Sequence, residues 1–168
     1  YAPGPELRRY AGENCFHIAA IFGNDELFQK MLALLLKHAR KQDIDFKDLV
    51  EVLSRKPEGS FFKQDPMIWN AMTPIAFAAT NGCKGSIDRV TLLTREEERL
   101  HHDLKCLEIN SDTLLCRLTG FRPLHACIYA NNAEMVDHLI DECGADWTLP
   151  VAEADPKLLE HASTPNKK

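Results

Sequence analysis

Three short segments of this chain resemble one another, and this internal repetition constrains the fold more than any other feature of the sequence. They begin at Asn14, Thr73 and Arg122. Each is rich in alanine and larger apolar residues and ends on glycine or asparagine; the three read NCFHIAAIFG, TPIAFAATNG and RPLHACIYAN. A chain with such self-similarity is expected to build one structural unit per copy and to stack the copies on one another.

Each copy has the features of a short helix that is followed by a turn. Pro74 and Pro123 suit the first turn of a helix, where the missing N–H group costs nothing. Gly23, Gly82 and Asn131 suit the left-handed residue that ends a helix. In the first and third copies a second helix is predicted after the turn, because apolar residues recur there at helical spacing. These residues are Leu27, Met31, Leu34 and Leu35 in the first copy, and Met135, Val136, Leu139 and Ile140 in the third.

The three segments resemble the ankyrin-repeat signature T-P-L-H-x-A-A-x-x-G. The third copy is the strongest match, because it continues through 134–140 to a G-A-D turn at 144–146, similar to the second helix and exit turn of this family. The resemblance implies an all-α fold, a helical solenoid of stacked helix pairs. It also implies that His17 and His125 are structural and make hydrogen bonds across the turn and to the adjoining unit.

The copies are spaced more widely than ankyrin units, which take roughly 33 residues each. Asn14, Thr73 and Arg122 are 59 and 49 residues apart, so both intervals contain extra segments. Thr94 is the expected N-cap of a helix in the second insertion, with Glu97 completing a capping box. We predict one ankyrin-repeat domain over 1–168, with repeat units near 13–40, 72–95 and 121–150, inserted helices at 44–56 and 94–108, and a C-terminal cap at 151–168.

A second class of function, a hydrolase or transferase with a Cys/His or metal site, would have to use the inserted helices. His102 and Cys106 are four residues apart and would share one face of a helix, as zinc ligands can; His101 and Asp103 are adjacent in sequence. No C-x-x-C or H-E-x-x-H motif accompanies them. An exposed polar face with Cys106 packed inward is therefore expected, and the sequence predicts no enzyme, no catalytic residue, no metal and no cofactor.

The ankyrin resemblance implies a protein–protein interaction module that binds through its concave face and its hairpin tips. Large aromatic side chains in such positions are the residue type that anchors interfaces. Phe61, Phe62 and Trp69 either belong to such an interface or cover the inserted helices. A third alternative is an inert spacer or regulatory arm of a longer polypeptide. The predicted partner-binding residues are Phe22, Thr80, Asn81, Phe121, Tyr129, Asn132 and Trp147.

The composition limits the class of partner and the cellular compartment that we expect. Twenty Lys and Arg residues against 25 Asp and Glu residues give a net charge of −5. This charge lacks the positive excess that is typical of nucleic-acid binding, and it favours a protein partner with a basic patch. The apolar run at 31–36 is too short to span a bilayer. Cysteines among small and apolar residues favour a reducing cytoplasm. Insertion-rich ankyrin repeats are also similar to those of secreted bacterial effectors, which would place the chain in a host cytoplasm. We expect a monomer that acts as a scaffold. Because the chain begins with Tyr1 and not with Met, we also expect it to be a fragment of a longer protein.

Overall fold

The computed structural model describes residues 12–57, 71–96 and 102–154, and these residues form helices and turns but no strands. The all-α fold that the sequence predicts is confirmed. Among the helices of this described part, none has the length and apolar content needed to cross a membrane. The α-helices are α1 (Cys15–Ile21), α2 (Asp25–Arg40), α3 (Phe46–Ser54), α4 (Pro74–Thr80), α5 (Lys84–Glu96), α6 (Pro123–Tyr129) and α7 (Ala133–Asp141); short 3-10 helices span His102–Leu107 and Asp112–Leu114.

The three look-alike segments form the short helices α1, α4 and α6. Pro74 and Pro123 occupy the first turn of their helices, as expected. The chain then adopts the left-handed conformation at each predicted stop, with φ of +62° at Gly23, +75° at Gly82 and +56° at Asn131. The chain can therefore reverse immediately, and each short helix is followed by its longer partner: α2, α5 or α7.

These helix pairs stack in chain order and define three units: α1 with α2, α4 with α5, and α6 with α7. Helix α4 packs between α1 and α6, while α2 packs beside α5. Alanines at 19, 20, 78 and 79 are fully buried between the short helices, which allows those helices to approach closely. The side-chain amide of Asn132 donates to the carbonyl of Thr80 at 3.2 Å and joins the second unit to the third.

The two insertions pack against each other beside the stack. Helix α3 from the first insertion contacts the 3-10 helix His102–Leu107 from the second. Leu49, Leu53 and Leu104 are 0% exposed in this region, and Leu107 is 1% exposed. Extra segments that are far apart in sequence therefore share apolar packing with the repeats, in one continuous core.

The second insertion differs from its prediction. Thr94 is not an N-cap, because it lies inside α5 and its hydroxyl donates to the carbonyl of Thr91 at 2.9 Å; a threonine can bond in this way to the preceding turn of its own helix. Residues 94–96 thus end the long helix of the second unit, and a separate helix beginning at Thr94 is wrong. Glu97, the aromatic residues Phe61, Phe62 and Trp69, and the cap predicted beyond residue 154 lie outside the described residues.

Candidate functional site

The two signature histidines are hydrogen-bonded in the way that the resemblance implies. Nδ1 accepts the backbone N–H of the residue preceding the helix, at 3.1 Å for His17 and 3.2 Å for His125. Nε2 donates to a carbonyl much later in the chain, that of Arg55 at 3.0 Å or that of Leu149 at 3.1 Å. Both imidazoles are occupied by these bonds, so their role is structural.

The segment that follows α7 is fixed to the second insertion by one side chain. The amide nitrogen of Asn110 donates to the carbonyl of Gly144 at 2.9 Å, and its oxygen accepts the N–H of Asp146 at 2.8 Å. Asp146 in turn accepts from the backbone N–H and the hydroxyl of Thr148. The turn at 144–148 is therefore held in one conformation by bonds at both of its ends.

The same segment is also fixed to the start of α6. The guanidinium of Arg122 donates to the carbonyl of Pro150 at 2.8 Å, and the N–H of Ala152 donates to the carbonyl of Gly120 at 3.1 Å. Gly120 has a φ of +70°, and a Cβ at this position would lie 1.9 Å from the carbonyl oxygen of Ala152. Only glycine permits this close approach, which brings the two backbones together.

Exposed apolar and aromatic side chains project from this rigid third unit. Tyr129 is 53% exposed at the end of α6, Ile128 beside it is 57% exposed, and Trp147 on the fixed turn is 73% exposed. Phe121 is half-buried, and the centre of its ring lies 5.9 Å from that of Tyr129. We call Phe121, Ile128, Tyr129 and Trp147 the third-unit surface.

A second apolar region lies at the far end of the stack, on the first unit. It is a groove with a volume of about 420 Å³, and Phe22 at its edge is 69% exposed. Ile18 and Met31 line this groove. In the second unit, the corresponding residues are Phe77 and Val90, and both are buried. We call it the first-unit groove; its lining residues are Cys15, Ile18, Ala19, Phe22, Asn24, Leu27 and Met31.

The structure does not bring the seven predicted partner-binding residues into one site. Phe121 and Tyr129 lie together, whereas Phe22 is at the other end of the stack. Thr80 is only 5% exposed, and its hydroxyl donates to the carbonyl of Ala76 at 2.7 Å. The prediction that Thr80 lies in an exposed groove is therefore wrong, because its side chain is buried and is hydrogen-bonded within its own helix, α4. Asn132 caps α7 and binds Thr80, so its polar atoms are already used.

The described residues give no support to the catalytic or metal site that was considered for the second insertion. Cys106 and Asp103 are both exposed, so the expectation that Cys106 packs inward is wrong. The segment is a 3-10 helix with three residues per turn, in which residues four apart do not share a face. His101 and the side chain of His102 lie outside the described residues.

Buried cysteines are unsuited to nucleophilic catalysis. Burial raises the pKa of Cys127 to about 12 and that of Cys83 to about 11. A thiol nucleophile must instead have a lowered pKa, since the thiolate is the reactive form. These two cysteines therefore act as small buried apolar residues.

Sequence reasoning missed a groove between the outer helices α5 and α7. It has a volume of about 540 Å³, and its lining includes Asp88, Arg95 and His138. Nε2 of His138 lies 2.7 Å from Oδ1 of Asp88, and the thiol of Cys143 is within 4.8 Å of both groups. We call this the outer groove. The sequence offers only a histidine and a cysteine five residues apart, whereas Asp88 comes close to them through the position of α5 in the fold.

Comparison with known proteins finds one family. The ankyrin-repeat model matches residues 119–150, which include α6, α7 and the fixed turn. No curated protein and no solved structure matches the chain. The third unit is thus an ankyrin repeat, and this match supports the ankyrin-repeat resemblance that the sequence predicts.

Proposed function

We propose that this ankyrin-repeat chain is a protein–protein interaction module that docks its partner on the third-unit surface. Ankyrin repeats are typically non-enzymatic interaction modules, and we propose no catalytic site here. The observation that carries the proposal is the exposure of Tyr129 and Trp147 on a backbone that side-chain and main-chain hydrogen bonds hold rigid.

Rigid aromatic side chains are effective anchors for a partner. Tyrosine and tryptophan bury a large area for few rotatable bonds, and they are enriched among the residues that dominate binding energy. Because the turn at 144–148 is already fixed, little further ordering of the backbone would oppose association. The net charge of −5 favours a partner with a basic patch around its apolar contact.

Phe22 and Asn81 extend the same proposal along the stack. They follow α1 and α4 directly, at the position that Ala130 occupies after α6, so the three residues form an equivalent row. Asn81 is exposed, although its amide also donates to the carbonyl of Phe77 at 3.1 Å. A long partner that covers the third-unit surface would reach this row next.

We also propose that the chain acts as a monomer in a reducing cytoplasm, as a scaffold or as an effector in a host cell. The cysteines at 15 and 106 are exposed thiols in the structure, and such thiols persist where glutathione and thioredoxin keep them reduced. The effector role rests on the likeness of its irregular repeats to those of bacterial effectors.

Capture of partners from a cell lysate tests the docking surface. The chain with Tyr129→Ala and Trp147→Ala removes two exposed side chains, and we expect it to retain the Tm of the original chain. We expect it to lose at least nine tenths of the partner that the original chain captures. Capture is measured by quantitative mass spectrometry, and Tm by circular dichroism.

A matched control replaces exposed leucines elsewhere in the stack. Leu34 on α2 is 58% exposed and Leu92 on α5 is 46% exposed, and neither belongs to the third-unit surface. We expect Leu34→Ala with Leu92→Ala to capture the partner normally. If the aromatic double variant captures as much as this control, the proposed surface is wrong.

A further inference from the structure

At the outer groove, three different metal-binding side chains from two units of the stack lie close together, two of them lining the groove and the third buried beside it. Asp88 comes from α5, while His138 lies near the end of α7 and Cys143 just beyond it. Their ligand atoms all lie within 4.8 Å of one another. The side chain of His138 is 14% exposed and that of Asp88 is 53% exposed, and Cys143 is buried. The three donors thus range from a buried thiol to a carboxylate that is open to solvent.

These donors fit the preferences of zinc. Zinc binds cysteine sulfur, histidine nitrogen and carboxylate oxygen in tetrahedral sites, at about 2.0–2.3 Å from the metal. Donors at those distances are separated by roughly 3.3–3.7 Å in a tetrahedron. His138 Nε2 and Asp88 Oδ1 lie 2.7 Å apart, and all three donor atoms lie within 4.8 Å of one another, a range that includes these separations.

We infer that Asp88, His138 and Cys143 bind one Zn²⁺ ion, with water from the groove as the fourth ligand. The hydrogen bond between His138 and Asp88 opens, the imidazole carries its proton on Nδ1, and Nε2 and the carboxylate each donate a lone pair to the ion. The Cys143 thiol binds as thiolate and releases its proton to solvent, so one proton leaves for each ion bound. No electron transfer is involved.

The surroundings of the three donors suit such a site. The Thr91 side chain lines the same groove, one turn of α5 from Asp88. The guanidinium of Arg95 donates to the carbonyl of Glu142 at 3.1 Å, which ties this charge to the backbone.

Metal binding here would join the second and third units at their outer helices. Apart from the contact between His138 and Asp88, the described bonds between α5 and α7 include the exposed pair of Lys84 and Glu134 at 2.6 Å. An ion bound only by the folded chain stabilises it by mass action. We expect a rise in Tm of roughly 5–10 °C at a hundredfold excess of zinc over its Kd.

Titration of the full chain with CoCl₂ and then ZnCl₂, in a non-thiol reductant, tests the site. Cobalt bound to a thiolate gives a sulfur-to-metal charge-transfer band in the near ultraviolet. We expect one cobalt ion per chain, this band, its loss when zinc displaces cobalt, and the increase in Tm with zinc. We expect Cys143→Ser to abolish the band, and Asp88→Asn to weaken cobalt binding at least tenfold.

Two control variants separate this site from other cysteines and histidines. Cys106→Ser removes an exposed thiol of the second insertion, and His38→Ala removes an exposed histidine that lies 3.1 Å from Asp43. We expect both to keep the band and the Tm shift. Because Asp88 is half-exposed, Asp88→Asn should fold normally and remains informative even if Cys143→Ser does not fold.

The inference is overturned if the original chain gives no charge-transfer band. It is equally overturned if the band is lost in Cys106→Ser, or if Asp88→Asn binds cobalt as tightly as the original chain. Partner capture by the third-unit surface does not depend on zinc, so either proposal can fail while the other holds.

Discussion

His17 and His125 tie α1 and α6, respectively, to later parts of the chain. Both use Nδ1 as acceptor and Nε2 as donor, which requires the neutral imidazole with its proton on Nε2. His17 is 0% exposed, and burial lowers its pKa from 6.5 to about 4. Its packing is therefore coupled to its protonation state, because a buried charge at this position would be poorly solvated.

The pH dependence of unfolding tests this role of His17. Between pH 6.5 and about 4 the unfolded chain binds a proton at this residue that the folded chain does not. Stability must therefore fall as the pH falls through this range, by up to roughly 3 kcal/mol from this group. We expect His17→Gln to lack this part of the slope, as measured by urea unfolding at several pH values.

Protonation of Glu13 changes the stability in the opposite direction, so its contribution must be removed before the pH slopes of the two chains are compared. Burial raises its pKa from 4.5 to about 7, so the folded chain binds a proton there that the unfolded chain lacks, and this contributes stability as the pH falls through 7. Both chains are therefore compared with Glu13→Gln in the background. Identical slopes with and without His17 would show that this imidazole is not buried in its neutral form.

Among the elements, α5 begins without a capping residue of its own. The residue before it is Cys83, whose side chain has no oxygen that could accept from the first N–H groups of the helix. Asp25 on α2 takes that place, accepting from the N–H groups of Gly85 at 3.1 Å and Ser86 at 2.8 Å. One unit thereby caps the long helix of the next.

Replacement of Asp25 measures the strength of this cap. We expect Asp25→Ala to lower the free energy of unfolding by about 1–2 kcal/mol, because two N–H groups lose their acceptor. Glu26→Ala is the matched control on the same helix: Glu26 is exposed and pairs only with Lys30 at 2.6 Å among its described contacts. In urea unfolding, equal losses for the two variants would argue against a cap between units.

The inserted elements are expected to contribute to the stability of the whole stack. Leu104 is 0% exposed in the 3-10 helix that packs against α3 and α5. We expect Leu104→Ala to cost about 2–5 kcal/mol, the range for a buried leucine that leaves a cavity. Thermal and urea unfolding should show this loss in one transition. A loss no larger than that of Leu92→Ala, which removes an exposed leucine, would mean that the insertions are not part of the core.

The elements also show how far the sequence could lead. Pro123 and Asn131 mark the start and stop of α6 by local chemistry alone, so that helix was predictable. Helix α5 was not, since its cap comes from Asp25 some 60 residues away in sequence, and Thr94 resembles a cap while bonding inside the helix. The outer groove depends on that helix, and so Asp88 could not be placed beside His138.

At the scale of the whole molecule, the stack has two different ends. The first unit ends in the first-unit groove, whereas the third unit carries the exposed aromatic residues on a segment fixed by Asn110 and Arg122. The sequence predicted Tyr129 and Trp147 as contacts, and the structure shows them exposed. It could not predict that Thr80, at the position in α4 corresponding to Tyr129, is buried, because that depends on the packing of neighbouring units.

The most direct test of the account is hydroxyl-radical footprinting of the chain, free and in complex with a captured partner. Side chains that a partner covers lose their reactivity, and mass spectrometry measures this residue by residue. We predict that Tyr129 and Trp147 are labelled in the free chain and at least fivefold less in the complex, while Leu34 and Leu92 are labelled equally in both. Unchanged labelling of Tyr129 and Trp147 in the complex, with protection of Leu34 or Leu92 instead, would contradict the account.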